Sequence, residues 1–146
     1  MQNFIQEGAR LVIAAAGTVS SGAPVLTGSM FGVAIHDATS GADLSLQITG
    51  VVQLTKVGSQ AWSVGDRVYW DDGNSRCTTT ASDGDLLIGT CTEAVASGAG
   101  DTLGNVRLGA AQYPVAANVA DASSGSAAEI NALRDALVDA GLMAAS

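Results

Sequence analysis

Between Ala42 and Lys56 the chain reads ADLSLQITGVVQLTK, where Leu44, Leu46 and Ile48 alternate with Ser45, Gln47 and Thr49. A β-strand points successive side chains to opposite faces. Strict alternation of apolar and polar residues therefore describes a strand with one face inward and the other in water. Val52 and Leu54 continue the same parity beyond Gly50. A glycine at that point predicts a bend or bulge that lets a sheet curl.

The same pattern recurs along the chain. RLVIAA from Arg10 reads as a strand, and SSGAPVLTGSMFGVAI reads as two short strands around the turn Thr27-Gly28-Ser29. RCTTTA, GDLLIGTCTEAV and GNVRLGA extend the series, and 18 glycines against 2 prolines supply turns without breaking strands. Many short strands at close spacing predict an all-β fold, a small β-barrel or sandwich, rather than an α/β fold. A chain of 146 residues is long enough for one main domain with its own core. Residues 1–9 read as an N-terminal arm with Phe4 and Ile5 as apolar anchors, and 10–110 as the β domain.

Both tryptophans fall in one stretch, AWSVGDRVYWDDGN at 61–74, although only 4% of the chain is aromatic. Val64-Gly65-Asp66 predicts a tight turn leading into a strand at Arg67–Trp70. Asp71-Asp72-Gly73-Asn74 predicts a hairpin turn. A calcium loop would need oxygen ligands at alternate positions and a glutamate at the twelfth, and neither is present. Trp62, Val68 and Trp70 are expected in the core, where aromatic residues of small β domains usually pack. The competing use of the tryptophan pair is a sugar-stacking platform.

Charge narrows the function. Fourteen acidic and six basic residues give a net charge of −8, Lys56 is the only lysine, and the five arginines are scattered. Nucleic-acid binding needs clustered positive charge on phosphates, so that partner is not expected. A phosphate loop would place Lys before Ser or Thr, whereas Lys56 precedes Val57. His36-Asp37 is the only histidine beside an acid. No Gly-x-Ser-x-Gly elbow accompanies it, so a surface histidine at a strand end is expected. Cys77 and Cys91 match no metal spacing and read as two small buried hydrophobes, with a disulfide left open. No catalytic residue, metal or cofactor is expected. No segment reaches the roughly 20 apolar residues of a membrane span. LVIAAAG at Leu11 follows Glu7, where a secretory signal would be basic, so a cytoplasmic origin is expected.

From 111 to 125 the composition becomes that of a linker. Residues 126–146 change character again: Ser126 and Glu129 fit a capping box, and Ile130, Leu133 and Leu137 form an apolar stripe at helical spacing. An isolated helix of this length is marginal, so the stripe is expected to dock on its own β domain or on other copies.

MQNFIQEG, ITGVVQLTK, AWSVGDRVYWDDGNSRCTTTA, LLIGT and NVRLG together resemble the DUF2190 family of tailed phages, most specifically at Trp62, Gly65, Asp66, Val68, Tyr69 and Trp70. Some members carry the label RecA/RadA-like recombinase, which fits neither the missing phosphate loop nor the acidic charge. The resemblance implies an all-β head-decoration or cement protein on the outer surface of the virion capsid, made in the host cytoplasm during assembly. Its implied partner is the major capsid protein, clamped at subunit seams, with Phe4 and Ile5 as capsid contacts. A homo-trimer is favoured, with a dimer as the alternative, and Ile130, Leu133 and Leu137 are the candidate self-contact. The competing reading is a virion-surface adhesin that binds a glycan or host surface.

Overall fold

The computed structural model describes residues 3, 5–82, 84–109 and 127–139. Among these described residues nine strands fall into two sheets, so the fold is mostly β. The first sheet holds β1 (Arg10–Ala14), β2 (Pro24–Thr27), β3 (Met30–Ala34) and β4 (Asp43–Gln47) in the order β1-β4-β3-β2. The second holds β5 (Gly50–Thr55), β6 (Arg67–Asp71), β7 (Arg76–Thr78), β8 (Leu86–Cys91) and β9 (Leu103–Leu108) in the order β5-β9-β8-β6-β7. All pairings within the two sheets are antiparallel.

Local sequence explains the hairpins. β2 and β3 are joined by Gly28-Ser29, with Thr27 opposite Met30. Gly28 has φ +58°, which a residue without a Cβ adopts freely; glycine first in a two-residue loop is the II′ arrangement that matches strand twist. β6 and β7 pair from Asp71 opposite Arg76, so Asp72-Gly73-Asn74-Ser75 turns the chain between them.

The expected bend at Gly50 takes a different form. β4 and β5 do not make one bent strand: the chain leaves the first sheet after Gln47 and enters the second at Gly50, where φ is +99°. The bulge lies elsewhere. Val68 faces Gly89 and Tyr69 faces Leu87, so Ile88 is an extra residue on β8. Bulges strengthen local twist, and the second sheet curls until its edges approach. Lys56, just after β5, meets Cys77 of β7 in a parallel bridge, and Val57 N–H donates to Cys77 O at 3.0 Å.

Two core clusters follow. Leu44 and Leu46 join Ala15, Ala34 and Ala38 under the first sheet. The curled sheet encloses the larger cluster, including Trp62, Val68, Trp70, Ile88, Val106 and Leu108. Phe31 belongs to that second cluster although it sits on β3. Its ring centroid is 5.2 Å from that of Trp70 with a 49° tilt. Full burial of a side chain of this kind contributes about 1.5–3 kcal/mol, so Phe31 is a substantial tie between the sheets. A helix, α1, spans Ala127–Asp139. The expected linker, the capping serine Ser126 and the final residues 140–146 lie outside the described residues.

Candidate interaction surface

The stretch 61–74 is built to hold itself. Trp62 exchanges two backbone hydrogen bonds with Val95, at 2.9 and 3.0 Å, and its indole Nε1–H donates to Gln60 Oε1 at 3.0 Å. Gln60 Oε1 also accepts from Thr79 N–H at 2.7 Å, and its amide donates to the hydroxyls of Thr78 and Thr80, both at 3.1 Å. One glutamine thus ties the Trp62 segment to the Thr run that begins at the last residue of β7. Lys56 is buried. Its Nζ donates to Val57 O at 2.8 Å and Asp101 O at 2.7 Å, and lies 5.7 Å from the centre of the Trp62 ring.

The acidic turn behaves likewise. Asp66 Oδ2 accepts from Ser63 N–H at 2.7 Å, and Asp72 Oδ1 accepts the indole proton of Trp70 at 3.0 Å. Asp71 accepts from Asn74 Nδ2 at 2.6 Å and Asn74 N–H at 3.1 Å. The Asn74 amide is the main reason its carboxyl lies below the usual range; partial desolvation opposes this, and Arg76, with Nε 3.6 Å from Asp71 Oδ2, adds to it. The carboxylates of Asp66, Asp71 and Asp72 therefore each take a protein donor from a residue two or three positions away in the chain. Among the described residues no group of three or more His, Cys, Asp or Glu is placed to hold a metal ion.

His36 is exposed, and both of its ring nitrogens engage backbone. Nε2 accepts from Ser45 N–H at 3.2 Å and Nδ1 lies 2.9 Å from Asp37 O. The Asp37 carboxylate accepts from Ser21 N–H at 2.7 Å instead of from the imidazole. The pair adjacent in sequence is thus not a hydrogen-bonded dyad. Cys77 and Cys91 are both buried and free, which resolves the open question of their pairing. Burial pushes the Cys77 thiol up to about 12, and the Cys91 thiol donates to Glu93 O at 2.9 Å.

Of the residues singled out from sequence, Trp62, Val68 and Trp70 lie together in the larger core. The tryptophans present no open stacking face, so the sugar-platform use of this pair is not available to the folded chain. Val64, which shares their parity in sequence, sits in the intervening turn and is exposed. Phe4 lies outside the described residues, whereas Ile5 is 88% exposed. On α1, Ile130 and Leu133 are 61% and 51% exposed and Leu137 is half-buried. Sequence reasoning passed over the exposed apolar residues of the β domain itself. Val12 stands on β1, and Val51 and Leu103 stand on the paired strands β5 and β9. Each interrupts the expected polar outer face, and that irregular parity was the available signal.

Among the described residues no helix is long and apolar enough to cross a membrane. What the molecule offers is a curled antiparallel β domain whose polar side chains secure its own turns and whose outer surface carries scattered apolar residues. This is the class of a mostly β, antiparallel two-sheet domain. The family of phage cement proteins matches the chain over residues 5–108, ending at the last residue of β9, and the chain belongs to that family. It is thus a phage capsid-associated protein. No curated protein and no solved structure matches it.

Proposed function

We propose that the chain decorates the outer face of the phage head and braces contacts between neighbouring major capsid subunits. The observation that carries this reading is the cement-family match, which runs from before β1 to the end of β9. Two features support it. A net charge of −8 repels packaged DNA and suits a position on the far side of the shell. The exposed Ile5, preceding β1, offers an apolar anchor on an arm that can lie in a groove between subunits.

The role calls for binding rather than catalysis. Pressure from packaged DNA pulls subunit seams apart, and apolar area buried across a seam opposes that separation. Icosahedral repetition multiplies a modest contact, and arms that engage two subunits at once gain effective concentration. The exposed Ile130 and Leu133 of α1 supply a contact between copies, as a trimer at a local three-fold axis.

The test is direct. Purified chain is mixed with expanded heads that lack it, and bound heads are separated by sedimentation and imaged by cryo-electron microscopy. Density on the outer surface across subunit boundaries, together with heads that survive heating better, is the expected result. Absence from finished particles, or density confined to the interior, would overturn the reading.

A further inference from the structure

The two sheets treat their edges differently. The second sheet brings its edge strands together at the Lys56–Cys77 bridge. In the first, β2 is a short edge headed by Pro24, which has no N–H to offer. The other edge is β1, and among the described residues no strand pairs with its outer side. It spans five residues, contains no proline, and has one charged side chain, Arg10, at its end. Edge strands this unguarded are templates for pairing with another chain.

Backbone direction follows from the register. Ala9 O accepts from Ile48 N–H at 3.1 Å and Ala15 N–H donates to Ala42 O at 2.9 Å, so odd-numbered residues aim their backbone at β4. Antiparallel pairing alternates. The N–H and C=O groups of Arg10, Val12 and Ala14 therefore point outward. The side chains of these same three residues are exposed, and Val12 is 60% exposed.

We propose that β1 is a two-fold seam at which a second copy of this chain pairs its own β1. The spacing is self-complementary about Val12. Val12 exchanges both hydrogen bonds with the partner's Val12, and Arg10 pairs with the partner's Ala14, so each of the three outward residues is used. Charge supports the same register. Ala14 stands beside Asp43 on β4, and Arg10 stands beside Gln47, to which its Nε donates at 3.0 Å. Across the seam, the order along the sheet becomes Asp43, Ala14, then the partner's Arg10. Two strand spacings of about 4.8 Å separate that arginine from Asp43; its guanidinium reaches the carboxylate over the small side chain of Ala14 by leaving Gln47, its partner in the single chain, and turning outward across the seam. Asp43 is exposed and makes no ion pair within the chain among the described residues. The seam also covers the valine that breaks the polar outer face. It joins two four-stranded sheets into one of eight strands, about an axis distinct from any contact made by α1.

The experiment uses the purified full chain and so does not depend on where it sits on a head. Val12→Cys puts two thiols opposite each other at the about 5.5 Å Cα separation of a hydrogen-bonded pair, within disulfide reach. Mild oxidation is expected to give a cross-linked dimer, whereas Ser45→Cys, one strand further in on the same face, gives none. Adding Arg10→Asp to the Val12→Cys chain sets like charges against each other across the seam and is expected to slow the cross-link several-fold, as fits an exposed pair; adding Asp43→Arg as well restores it. Circular dichroism of each variant separates loss of pairing from loss of fold. Equal cross-linking at Val12→Cys and Ser45→Cys, or indifference to the charge exchange in folded variants, would overturn the seam.

Discussion

Gly104 on β9 lies against the indole ring of Trp62: a Cβ built on it would meet Cζ3 directly and come within 2.7 Å of Cε3. The ring can lie flat on the strand only because no side chain stands there. Gly104→Ala is therefore expected to lower stability by about 1–3 kcal/mol, the usual cost of forcing extra volume into a packed core. Gly100→Ala, in the preceding turn with nothing within 4 Å of the added atom, is the control and should be near neutral. Urea unfolding of the two variants decides this. Equal midpoints would mean that Trp62 moves aside without cost.

The second prediction concerns Lys56. Its ammonium bonds two backbone carbonyls where the edges of the curled sheet meet. Lys56→Met keeps most of the volume and leaves Val57 O and Asp101 O without that donor. A loss of about 1–3 kcal/mol is expected, as for a buried acceptor stripped of its partner. As the only lysine of the chain, Lys56 can also be followed by chemistry. An amine-reactive reagent should spare it in the native protein and label it after denaturation. Rapid labelling of Lys56 in the native state would contradict its burial.

Asp85 gives a pH signature. Burial pushes its carboxyl above the usual range; the hydrogen bond from Ser82 N–H, 2.9 Å to Oδ2, works the other way, and the charge of Asp71 adds to the rise. A carboxyl raised in the folded state disfavours its own ionisation. The penalty is present above the folded pKa and gone below the unfolded value of about 3.9. Asp85→Asn keeps an oxygen for Ser82 N–H and removes the charge. The variant should melt above the parent at pH 7, and the gap should close as the pH falls towards about 3.9. A gap of opposite sign, or one that is constant with pH, would refute this account.

These positions show what the sequence could and could not convey. The hairpin at Gly28, the turn at Gly65 and the acidic turn after Trp70 were legible, because each depends on residues adjacent in the chain. The partition of strands was not. Leu44, Leu46, Ile48, Val52 and Leu54 share one parity, yet the first three serve the smaller cluster and the last two the larger. Alternation reports which side of a strand is buried and is silent on what buries it. Lys56 and Gln60 were missed for a related reason. Their partners Asp101, Thr78, Thr79 and Thr80 lie 18 to 45 residues away, and only closure of the sheet brings them together. The free edge of β1 is likewise a property of strand order, which period-2 patterning does not encode.

The last prediction separates the arm from the domain it precedes. Ile5 is exposed and belongs to neither core cluster, and β1 begins only at Arg10. Among the described residues, removing 1–7 therefore deletes no core side chain and no strand. The truncated chain should keep the far-ultraviolet spectrum and melting temperature of the parent to within the small change expected for loss of an exposed segment. Binding should respond very differently. If the arm lays its apolar residues along a groove between capsid subunits, the truncation loses that area and the second point of attachment together, so avidity falls by far more than one contact would suggest. Co-sedimentation with expanded heads is then expected to fall to background while the protein remains folded. Ile5→Asp in the full-length chain gives the same direction of change with the arm still present. A truncated chain that coats heads as well as the parent would move the capsid contact onto the β domain, where Val51 and Leu103 on the outer face of β5 and β9 become the residues to alter next.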